Sequence, residues 1–328
     1  MLNLGVVGVG HLGSLHAKML AEMDDIRLAG VFDPDMDKAR KIAGEFGTTA
    51  FETYDNFLRA VDAMTIATTT STHFDVAKRG LLEGKHLFIE KPITQTLAEA
   101  DELIGLAKDR KLHVQVGHIE RFNAAVLALE KYNIDPLFVE SHRLAQFNPR
   151  GTDVAVVLDL MIHDIDIILS FVKSPVARID ANGIAVVSDS VDIANARIQF
   201  ENGCVANVTA SRISQRKMRK MRLFQKDAYL SIDFSEKQCE VFRLVGDDEP
   251  RAKGAMMLGQ IDSAKHKRNI VYELPKVEDV NALKYELGLF VKAIQTGVPP
   301  AVSAEDGRRA LEVAHIIMER ISQQPIKM

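Results

Sequence analysis

The sequence predicts an α/β protein in which a doubly wound parallel sheet is followed by a second, differently built domain. Three observations lead to this. Over the first 120 residues, short apolar runs alternate with longer amphipathic ones. A glycine-rich turn, Gly8-Val-Gly10-His-Leu-Gly13, directly follows the first apolar run. Beyond about residue 120, strand-like runs separated by turns replace this alternation. At 328 residues the chain has room for two domains, predicted at 1–120 and 121–328.

The first domain is predicted to contain strands covered on both faces, because most of its short runs are continuously apolar. These strands are Leu2–Gly8, Ile26–Phe32, Ala63–Ala67, His86–Ile89 and His113–Gly117. The helices predicted between them are Leu12–Met23, Met36–Phe46, Phe74–Glu83 and Leu97–Lys108. A capping box at Thr96 and Glu99 marks the start of the last helix. This repetition implies a Rossmann sheet with a ligand crevice at the carboxyl ends of its strands.

The second domain is predicted to be α+β, with a large, open, mainly antiparallel sheet. An apolar helix, Leu158–Val172, comes first. The strands expected after it are Asn195–Phe200, Cys204–Ser211, Met221–Phe224, Tyr229–Phe234 and Cys239–Leu244. We interpret the weakly patterned region Ala255–Lys267 as a mobile loop. Two closing helices, about Val280–Thr296 and Ala304–Ile321, can pack back on the first domain.

Composition excludes several classes of protein. The net charge of −4 argues against general attraction to nucleic acid or to an anionic membrane. The two cysteines, Cys204 and Cys239, cannot form a disulfide framework and lack metal-ligand spacing. No apolar run is long enough to span a bilayer, and the first residues do not resemble a signal peptide. We therefore expect a cytoplasmic protein without metal, membrane or nucleic-acid partners.

The glycine turn predicts a dinucleotide site. One glycine permits the tight turn, the next lets the backbone approach a pyrophosphate, and the third allows helix and strand to pack closely. Asp33 ends the second strand, twenty residues past Gly13, where a carboxylate can bind a ribose 2′-hydroxyl. This carboxylate favours NAD over NADP because it repels a 2′-phosphate. The alternative is a glycine turn without a nucleotide. The residues assigned to the cofactor here are Gly8, Gly10, His11, Leu12, Gly13 and Asp33.

Two further groups of polar residues are candidates for catalysis. Glu90-Lys91-Pro92 follows an apolar strand, where a lysine can polarise a carbonyl or lower the pKa of a base; the alternative is a solvated charge pair. Asp159 and His163 lie four residues apart on one face of an apolar helix, with Asp166 on a neighbouring line. Substrate hydroxyls could satisfy these polar groups, as could partners within the core. A metal site is the weaker alternative, because no further ligands cluster nearby.

Seven motifs in order resemble the glucose–fructose oxidoreductase/inositol dehydrogenase/rhizopine catabolism (Gfo/Idh/MocA) family. They are the glycine turn, Asp33, Ala67-Thr-Thr-Thr-Ser-Thr-His73, Glu90-Lys-Pro92, Gly117-His-Ile-Glu-Arg-Phe122, Asp159…His163…Asp166 and Val302-Ser-Ala-Glu-Asp-Gly307. The resemblance covers nearly the whole chain. Two of these stretches are most similar to the branch that contains UDP-N-acetylglucosamine 3-dehydrogenases. Met161 departs from the glycine that is usual two residues after the aspartate, which weakens inferences about the substrate pocket.

The resemblance implies an oxidoreductase that binds NAD(H) or NADP(H), acts on sugars or nucleotide sugars, and forms a homodimer or homotetramer through its open sheet. It also implies that Lys91 is the catalytic lysine, His163 the proton-transferring histidine and Asp159 its neighbouring carboxylate. It further implies that Thr68, Thr70, His73, Glu90 and Lys91 line the cofactor, and that Arg121, with Lys91, Asp159 and His163, contacts substrate. The alternatives are an imine or tetrapyrrole reductase and a non-catalytic NAD-binding regulator on the same fold.

A basic segment suggests an anionic substrate such as a nucleotide sugar. Six positive charges lie between Arg212 and Arg222: Arg212, Arg216, Lys217, Arg219, Lys220 and Arg222. Arginines facing a cleft, Arg212 among them, could bind a diphosphate through bidentate bonds. The alternative is a solvated strand or loop whose charges protect an exposed sheet edge. Nucleic acid is a poor candidate, because no aromatic residue in the segment could stack on a base.

Overall fold

A computed structural model describes residues 1–148, 154–246, 254–262 and 267–323. The strands are β1 (Leu2–Val7), β2 (Ile26–Phe32), β3 (Thr49–Ala50), β4 (Ala63–Ile66), β5 (His86–Glu90), β6 (Val114–Gly117), β7 (Phe138–Leu144), β8 (Val176–Ile184), β9 (Ile193–Phe200), β10 (Val205–Ser211), β11 (Met218–Phe224), β12 (Ala228–Asp233), β13 (Gln238–Val245), β14 (Met256–Asp262) and β15 (Lys267–Glu273). The α-helices are α1 (His11–Ala21), α2 (Met36–Phe46), α3 (Tyr54–Ala60), α4 (Thr70–Leu82), α5 (Leu97–Arg110), α6 (Ala124–Leu127), α7 (Ile162–Phe171), α8 (Ala282–Thr296) and α9 (Ala304–Ser322).

The chain divides into two compact units. Unit 1 comprises Met1–Ile119 and Asn281–Glu312, and unit 2 comprises Glu120–Val280 and Val313–Met328. In unit 1, the described strands form a parallel sheet of six in the order β3-β2-β1-β4-β5-β6. This is the predicted Rossmann arrangement. The carboxyl ends of β1, β2, β4 and β5 therefore meet at one edge of the sheet, which is where such folds bind ligands.

The closing helix α8 is part of the core of unit 1. It packs on α1, and its side chains Leu287, Phe290 and Val291 join Leu4 and other strand residues in one buried cluster. The predicted capping box at the start of α5 is present: Thr96 caps the helix, and the Glu99 carboxylate accepts from the Thr96 amide at 2.9 Å. The capping residue fixes where the helix begins, because it satisfies otherwise unpaired N–H groups.

In unit 2, the described strands form a sheet of nine in the order β14-β15-β13-β12-β11-β7-β10-β9-β8. The sheet is mainly antiparallel, as predicted, but β7 and β10 pair in parallel. On β11, buried Met221 and Leu223 alternate with exposed Lys220, Arg222 and Phe224, so one face of this strand is covered and the other open. The apolar helix predicted at Leu158–Val172 is present as a π-helical turn, Val157–Met161, that continues into α7.

Three sequence-based expectations about elements were wrong. The region Ala255–Lys267 contains strand β14, paired with β15, rather than only a loop; residues 263–266 lie outside the described ranges. Helix α4 begins at Thr70 instead of Phe74, because the polar Thr-Ser-Thr run forms its first turn. The basic strand β11 lies between β7 and β12 inside the sheet, so its charges do not protect a sheet edge.

Candidate functional site

Contacts within the protein require two of the three glycines in the turn after β1, and the third is open to solvent. Gly8 has φ +81°, and a Cβ there would lie 2.7 Å from Cγ2 of Thr68. A Cβ on Gly13 would collide with the carbonyl oxygen of Gly8. Gly10 is different: it is exposed, and no heavy atom lies within 4 Å of the position a Cβ would take. The first and third glycines thus shape the turn, and the second leaves its outer side open for a ligand.

The start of α1 can receive a phosphate. Gly10 is the N-cap, no side chain caps the helix, and the first helical bond runs from the Ser14 amide to the Gly10 carbonyl at 3.0 Å. The preceding N–H groups of the first turn therefore point outward at the positive end of the helix dipole. His11 and Leu12 are exposed beside them, with Leu12 47% exposed. These residues fit the pyrophosphate of a dinucleotide.

Asp33 lies just beyond the carboxyl end of β2, beside the glycine turn. Its Oδ2 accepts from the Val9 amide at 2.8 Å, and its Oδ1 accepts from the Asp35 amide at 2.9 Å. Two backbone N–H groups thus fix the orientation of the carboxylate. Each oxygen keeps a second lone pair that can accept from a hydroxyl. The predicted assignment of Asp33 to the ribose is compatible with this geometry.

The threonine-rich run after β4 forms the first turn of α4. The Thr68 hydroxyl accepts from the Thr72 hydroxyl at 2.8 Å, and Thr70 is the first helical residue. His73 is only 1% exposed; its Nδ1 lies 2.9 Å from the carbonyl oxygen of Pro92 and its Nε2 lies 3.2 Å from that of Thr68. Burial lowers the pKa of His73, which favours the neutral ring. The assignment of these three residues to the cofactor stays a prediction.

Glu90 and Lys91 stand at the carboxyl end of β5, in the same edge region as the glycine turn. Oε1 of Glu90 lies 2.9 Å from Nε2 of the fully buried His16, and Oε2 accepts from the Lys91 amide at 3.3 Å. Burial would raise the pKa of Glu90, but the hydrogen bond with His16 and the charge of Lys91 together hold it below its ordinary value. The solvated charge pair considered from the sequence is therefore wrong for Glu90.

Sequence reasoning missed His16. The available signal was its position three residues after Gly13, on the buried side of α1, where an apolar residue would be usual. Gly117 also has a role that the sequence did not reveal. It pairs with Glu90 across β5 and β6, and a Cβ there would lie 3.0 Å from the Glu90 carboxylate. Any larger residue at position 117 would therefore crowd this carboxylate.

Asp159 and His163 are both in unit 2. Asp159 lies in the π-helical turn, and His163 lies in the first turn of α7. Both side chains are partly exposed, whereas Asp164 and Asp166 on the same helix are buried. Single π-turns inside helices often occur at functional sites. The helix therefore presents the two predicted catalytic residues towards the surface of unit 2 and turns its other carboxylates inward.

The inward carboxylates of α7 form ion pairs with two arginines. Arg143 on β7, 2% exposed, donates from Nε to Asp164 at 2.6 Å and from Nη1 to Glu120 at 2.8 Å. Arg121 binds Asp166 through two hydrogen bonds of 2.6 and 2.7 Å. These contacts fix α7 to the sheet and to the 3₁₀ turn at Ile119–Phe122. The predicted contact between Arg121 and substrate stays a prediction. In the structure, the Arg121 guanidinium donates to the Asp166 carboxylate.

Arg212, the other arginine predicted to bind substrate, is also largely buried. It is 5% exposed, its Nε lies 3.8 Å from Oδ1 of Asp192, and it donates to the carbonyl of Val154. Burial would raise the pKa of Asp192, but the Ser188 hydroxyl and three backbone N–H groups hold it far below its ordinary value. Arg212 thus faces a firmly ionised carboxylate, which accounts for its burial without a substrate.

The remaining basic residues differ in their surroundings. Carboxylates lie near three of them on β11: Glu120 is 3.6 Å from Arg219, Asp233 is 3.0 Å from Lys220, and Glu140 is 3.7 Å from Arg222. Arg216 and Lys217 precede the strand and are exposed. They are the members of the segment whose side chains are best placed to meet a ligand from solution.

Neither a metal centre nor a membrane span is found in the part of the chain that the structure describes. Within those ranges, no three His, Cys, Asp or Glu side chains are grouped so that they could hold a metal ion. Among the same residues, no helix is both long and apolar enough to cross a bilayer. Cys204 and Cys239 are buried and unpaired with each other.

Family models match both units. A model described as an oxidoreductase family with an NAD-binding Rossmann fold matches residues 2–118. A model of the GFO/IDH/MocA C-terminal domain matches residues 131–231. The two matches follow each other in the order that the motifs predict.

Individual proteins are similar over nearly the full length. The UDP-N-acetylglucosamine 3-dehydrogenase of Acidithiobacillus ferrooxidans is 38% identical over 314 residues, which is 95% of each chain. A solved structure of that enzyme superposes with a TM-score of 0.87 at 36% identity and covers 98% of this chain and 97% of its own. The myo-inositol 2-dehydrogenase of Thermotoga maritima is 24% identical and covers 98% of this chain and 97% of its own.

Proposed function

The chain belongs to the Gfo/Idh/MocA family of NAD-dependent oxidoreductases, and on that premise we propose that it oxidises a hydroxyl of a nucleotide sugar, namely the 3-hydroxyl of UDP-N-acetylglucosamine. The observation that supports this substrate is the 38% identity, over 95% of both chains, to an enzyme of that name. The inositol dehydrogenase is more distant at 24% identity. The family's cofactor fits the residues present, because the glycine turn, the uncapped start of α1 and Asp33 suit a dinucleotide.

We propose the following roles for residues of this chain. His163 removes the proton from the substrate hydroxyl, a task suited to an imidazole because it exchanges protons near neutral pH. Asp159 orients or electrostatically supports that imidazole. Lys91 binds the reacting oxygen. When NAD is bound, it supplies the acceptor for the hydride that leaves the carbon bearing this hydroxyl. A positioned general base contributes roughly 10²–10⁴-fold to the rate.

The roles of Lys91 and His163 can be tested by substitution. We expect Lys91→Ala and His163→Ala to abolish turnover while calorimetric binding of NAD survives, because neither residue belongs to the phosphate-binding turn. Matched controls are Lys38→Ala, at a lysine 60% exposed on α2, and His142→Ala, at a partly exposed histidine on β7. Near-wild-type kcat in either test variant would remove that residue from the mechanism.

The substrate can be tested with a panel. Purified protein is incubated with NAD and with UDP-N-acetylglucosamine, UDP-glucose, free N-acetylglucosamine or myo-inositol, and the absorbance of reduced cofactor is followed. UDP-N-acetylglucosamine should give the highest kcat/KM. A free sugar or inositol as the best substrate would contradict the proposal.

We further propose that Arg216 and Lys217, which are exposed, bind the diphosphate in place of Arg212, which is buried against Asp192. A charge-assisted hydrogen bond to a phosphate contributes about 1.5–3 kcal/mol. The double substitution Arg216→Ala/Lys217→Ala should therefore raise KM for the nucleotide sugar by roughly tenfold or more without changing NAD affinity. Arg178→Met, at an arginine 67% exposed on β8, is the control. An unchanged KM in the double variant would exclude this diphosphate site.

We also propose that the open face of the sheet in unit 2 associates with a second copy of the chain. Directly paired residues on five adjacent strands form an aromatic row there, with ring centroids 4.9–5.8 Å apart. The row consists of Phe138, Phe224, Tyr229, Phe242 and Tyr272. Aromatic side chains are enriched in protein interfaces. Sedimentation of the wild type should give a dimer or tetramer, which Phe224→Glu weakens and Phe147→Glu, at a 48% exposed residue outside the row, does not. A monomeric wild type would contradict this association.

A further inference from the structure

Lys91 lies between two residues that buried histidines hold in place. On its N-terminal side, Nε2 of His16 lies 2.9 Å from the Glu90 carboxylate. On its C-terminal side, Nδ1 of His73 lies 2.9 Å from the carbonyl oxygen of Pro92. His16 is on α1 and His73 is on α4, and they are 0% and 1% exposed.

We infer that His16 and His73 are positioning residues that fix the main chain on both sides of Lys91 and thereby set where its amine points. The inference rests on the proposed role of Lys91, and it adds two residues that act through Glu90 and Pro92 without touching the substrate.

The surroundings of His16 leave its ring little freedom. The ring packs edge-on against Phe88 with centroids 5.4 Å apart, and Phe88 is itself fully buried. The Glu90 carboxylate also lies close to Gly117, where an added Cβ would be 3.0 Å from it. Oε2 of the same carboxylate accepts from the amide of Lys91 at 3.3 Å. The position of the His16 ring is therefore transmitted through one side chain to the backbone of Lys91.

His16 also connects the two halves of the candidate cofactor site. It lies on the helix that begins at the glycine turn, and Glu90 ends the strand that leads into Lys91. His73 makes a second connection, because its Nε2 lies 3.2 Å from the carbonyl of Thr68, next to the glycine turn, while its Nδ1 faces Pro92. The phosphate-binding turn and the lysine are thus joined by two buried imidazoles.

The two histidines use different ring nitrogens, and this allows a selective test. An ionised carboxylate only accepts hydrogen bonds, so Nε2 of His16 carries a hydrogen. The carbonyls of Pro92 and Thr68 also only accept, and a neutral imidazole donates from one nitrogen. We assign the hydrogen of His73 to Nδ1, which lies 2.9 Å from the Pro92 carbonyl, rather than to Nε2, which lies 3.2 Å from that of Thr68. A glutamine side chain places its NH₂ near the position of Nε2, and an asparagine places it near Nδ1. We therefore expect His16→Gln and His73→Asn to retain the contact with Glu90 or Pro92, and His16→Asn and His73→Gln to lose it.

The experiment compares the four variants with the wild type in kcat, KM and NAD affinity. A displacement of about 1 Å at a reacting group can reduce the rate roughly 100-fold. On that basis kcat should fall by about 100-fold in His16→Asn and His73→Gln and by less than about fivefold in the two retaining variants, with KM little changed. Leu20→Ala removes a buried side chain from α1 without touching Glu90, and shows how much activity a loss of stability alone removes.

A second readout does not depend on turnover. The amine of Lys91 is acetylated with limiting reagent, and its labelling is measured by peptide mass spectrometry relative to Lys38 in the same sample. Labelling of Lys91 should change in His16→Asn and His73→Gln and stay at the wild-type level in the retaining variants and in Leu20→Ala. The inference would be overturned if His16→Gln and His16→Asn had equal Lys91 labelling and equal kcat, and if the same held for His73→Asn and His73→Gln. If Lys91→Ala keeps full turnover, the proposed catalytic role fails, while the labelling comparison still decides whether the histidines position Lys91.

Discussion

Replacing Arg143 by methionine should destabilise unit 2 more than any surface substitution in that unit. Arg143 is 2% exposed and donates at 2.6 Å to Asp164, which is 1% exposed, and at 2.8 Å to Glu120. Methionine fills much of the same space but leaves the Asp164 carboxylate buried without its cation. Removing one member of a buried ion pair costs about 3–5 kcal/mol. For a unit of this size, the apparent Tm should then fall by roughly 6–20 °C.

The assay is scanning calorimetry at pH 7.5 of Arg143→Met, Asp164→Leu and the double variant. The double variant should recover part of the loss, because replacing both members of a buried pair by apolar residues is often neutral. The matched control is Arg178→Met, which breaks an Arg–Asp pair on the surface of the same unit, 67% and 47% exposed, and should leave Tm unchanged. A fall in Tm for Arg143→Met that is no larger than the fall for the control would refute the reasoning. A double variant with a lower Tm than both single variants would refute it as well.

Three further outcomes are expected. Calorimetry should show that the wild type binds NAD more tightly than NADP and that Asp33→Ala narrows the difference, since the carboxylate repels a 2′-phosphate; equal affinities in the wild type would contradict this. Gly13→Ala should abolish NAD binding, because its Cβ would collide with the carbonyl oxygen of Gly8, and retained binding in a titration would show that the turn can rearrange. Burial lowers the pKa of His73 and of His86, so the unfolded chain binds more protons just below pH 6.5 than the folded one. Urea unfolding should therefore show stability decreasing as the pH falls from 7.5 to 5.5, and a constant or rising stability would contradict the assignment of neutral rings.

Most elements of unit 1 were predictable because local sequence and tertiary packing agree there; the short elements β3 and α3 were not predicted. Strand β2 and helix α2 have the predicted bounds, Ile26–Phe32 and Met36–Phe46. The runs that were missed are those whose pattern is weak. Strand β7, with the sequence Phe-Val-Glu-Ser-His-Arg-Leu, buries a serine and an arginine on its covered face, so apolar alternation does not reveal it. Arg143 is buried there because Asp164 lies opposite, a partner that only the fold identifies.

The residues of the candidate site also fall into those that the sequence could predict and those that it could not. The glycine turn and Asp33 could be recognised from spacing, because each residue meets a fixed backbone requirement. The contact between His16 and Glu90 could not, since 74 residues separate the two along the chain. The basic segment was misjudged for a related reason. Its charges are clustered in the sequence, but in the sheet, carboxylates from β7, β12 and the turn before α6 lie beside Arg219, Lys220 and Arg222.

The contribution of α8 to the core of unit 1 has a consequence during protein synthesis. Phe290 packs against Phe88 with ring centroids 5.9 Å apart, but residues 120–280 must be made before it emerges from the ribosome. At roughly 5–20 residues per second, this takes about 10–30 s. Throughout that interval the nascent first unit has its strands and its glycine turn, but Leu4 and Phe88 lack the helix that covers them. The nascent chain therefore exposes an apolar patch that a chaperone can bind. It completes its nucleotide-binding unit only near the end of translation.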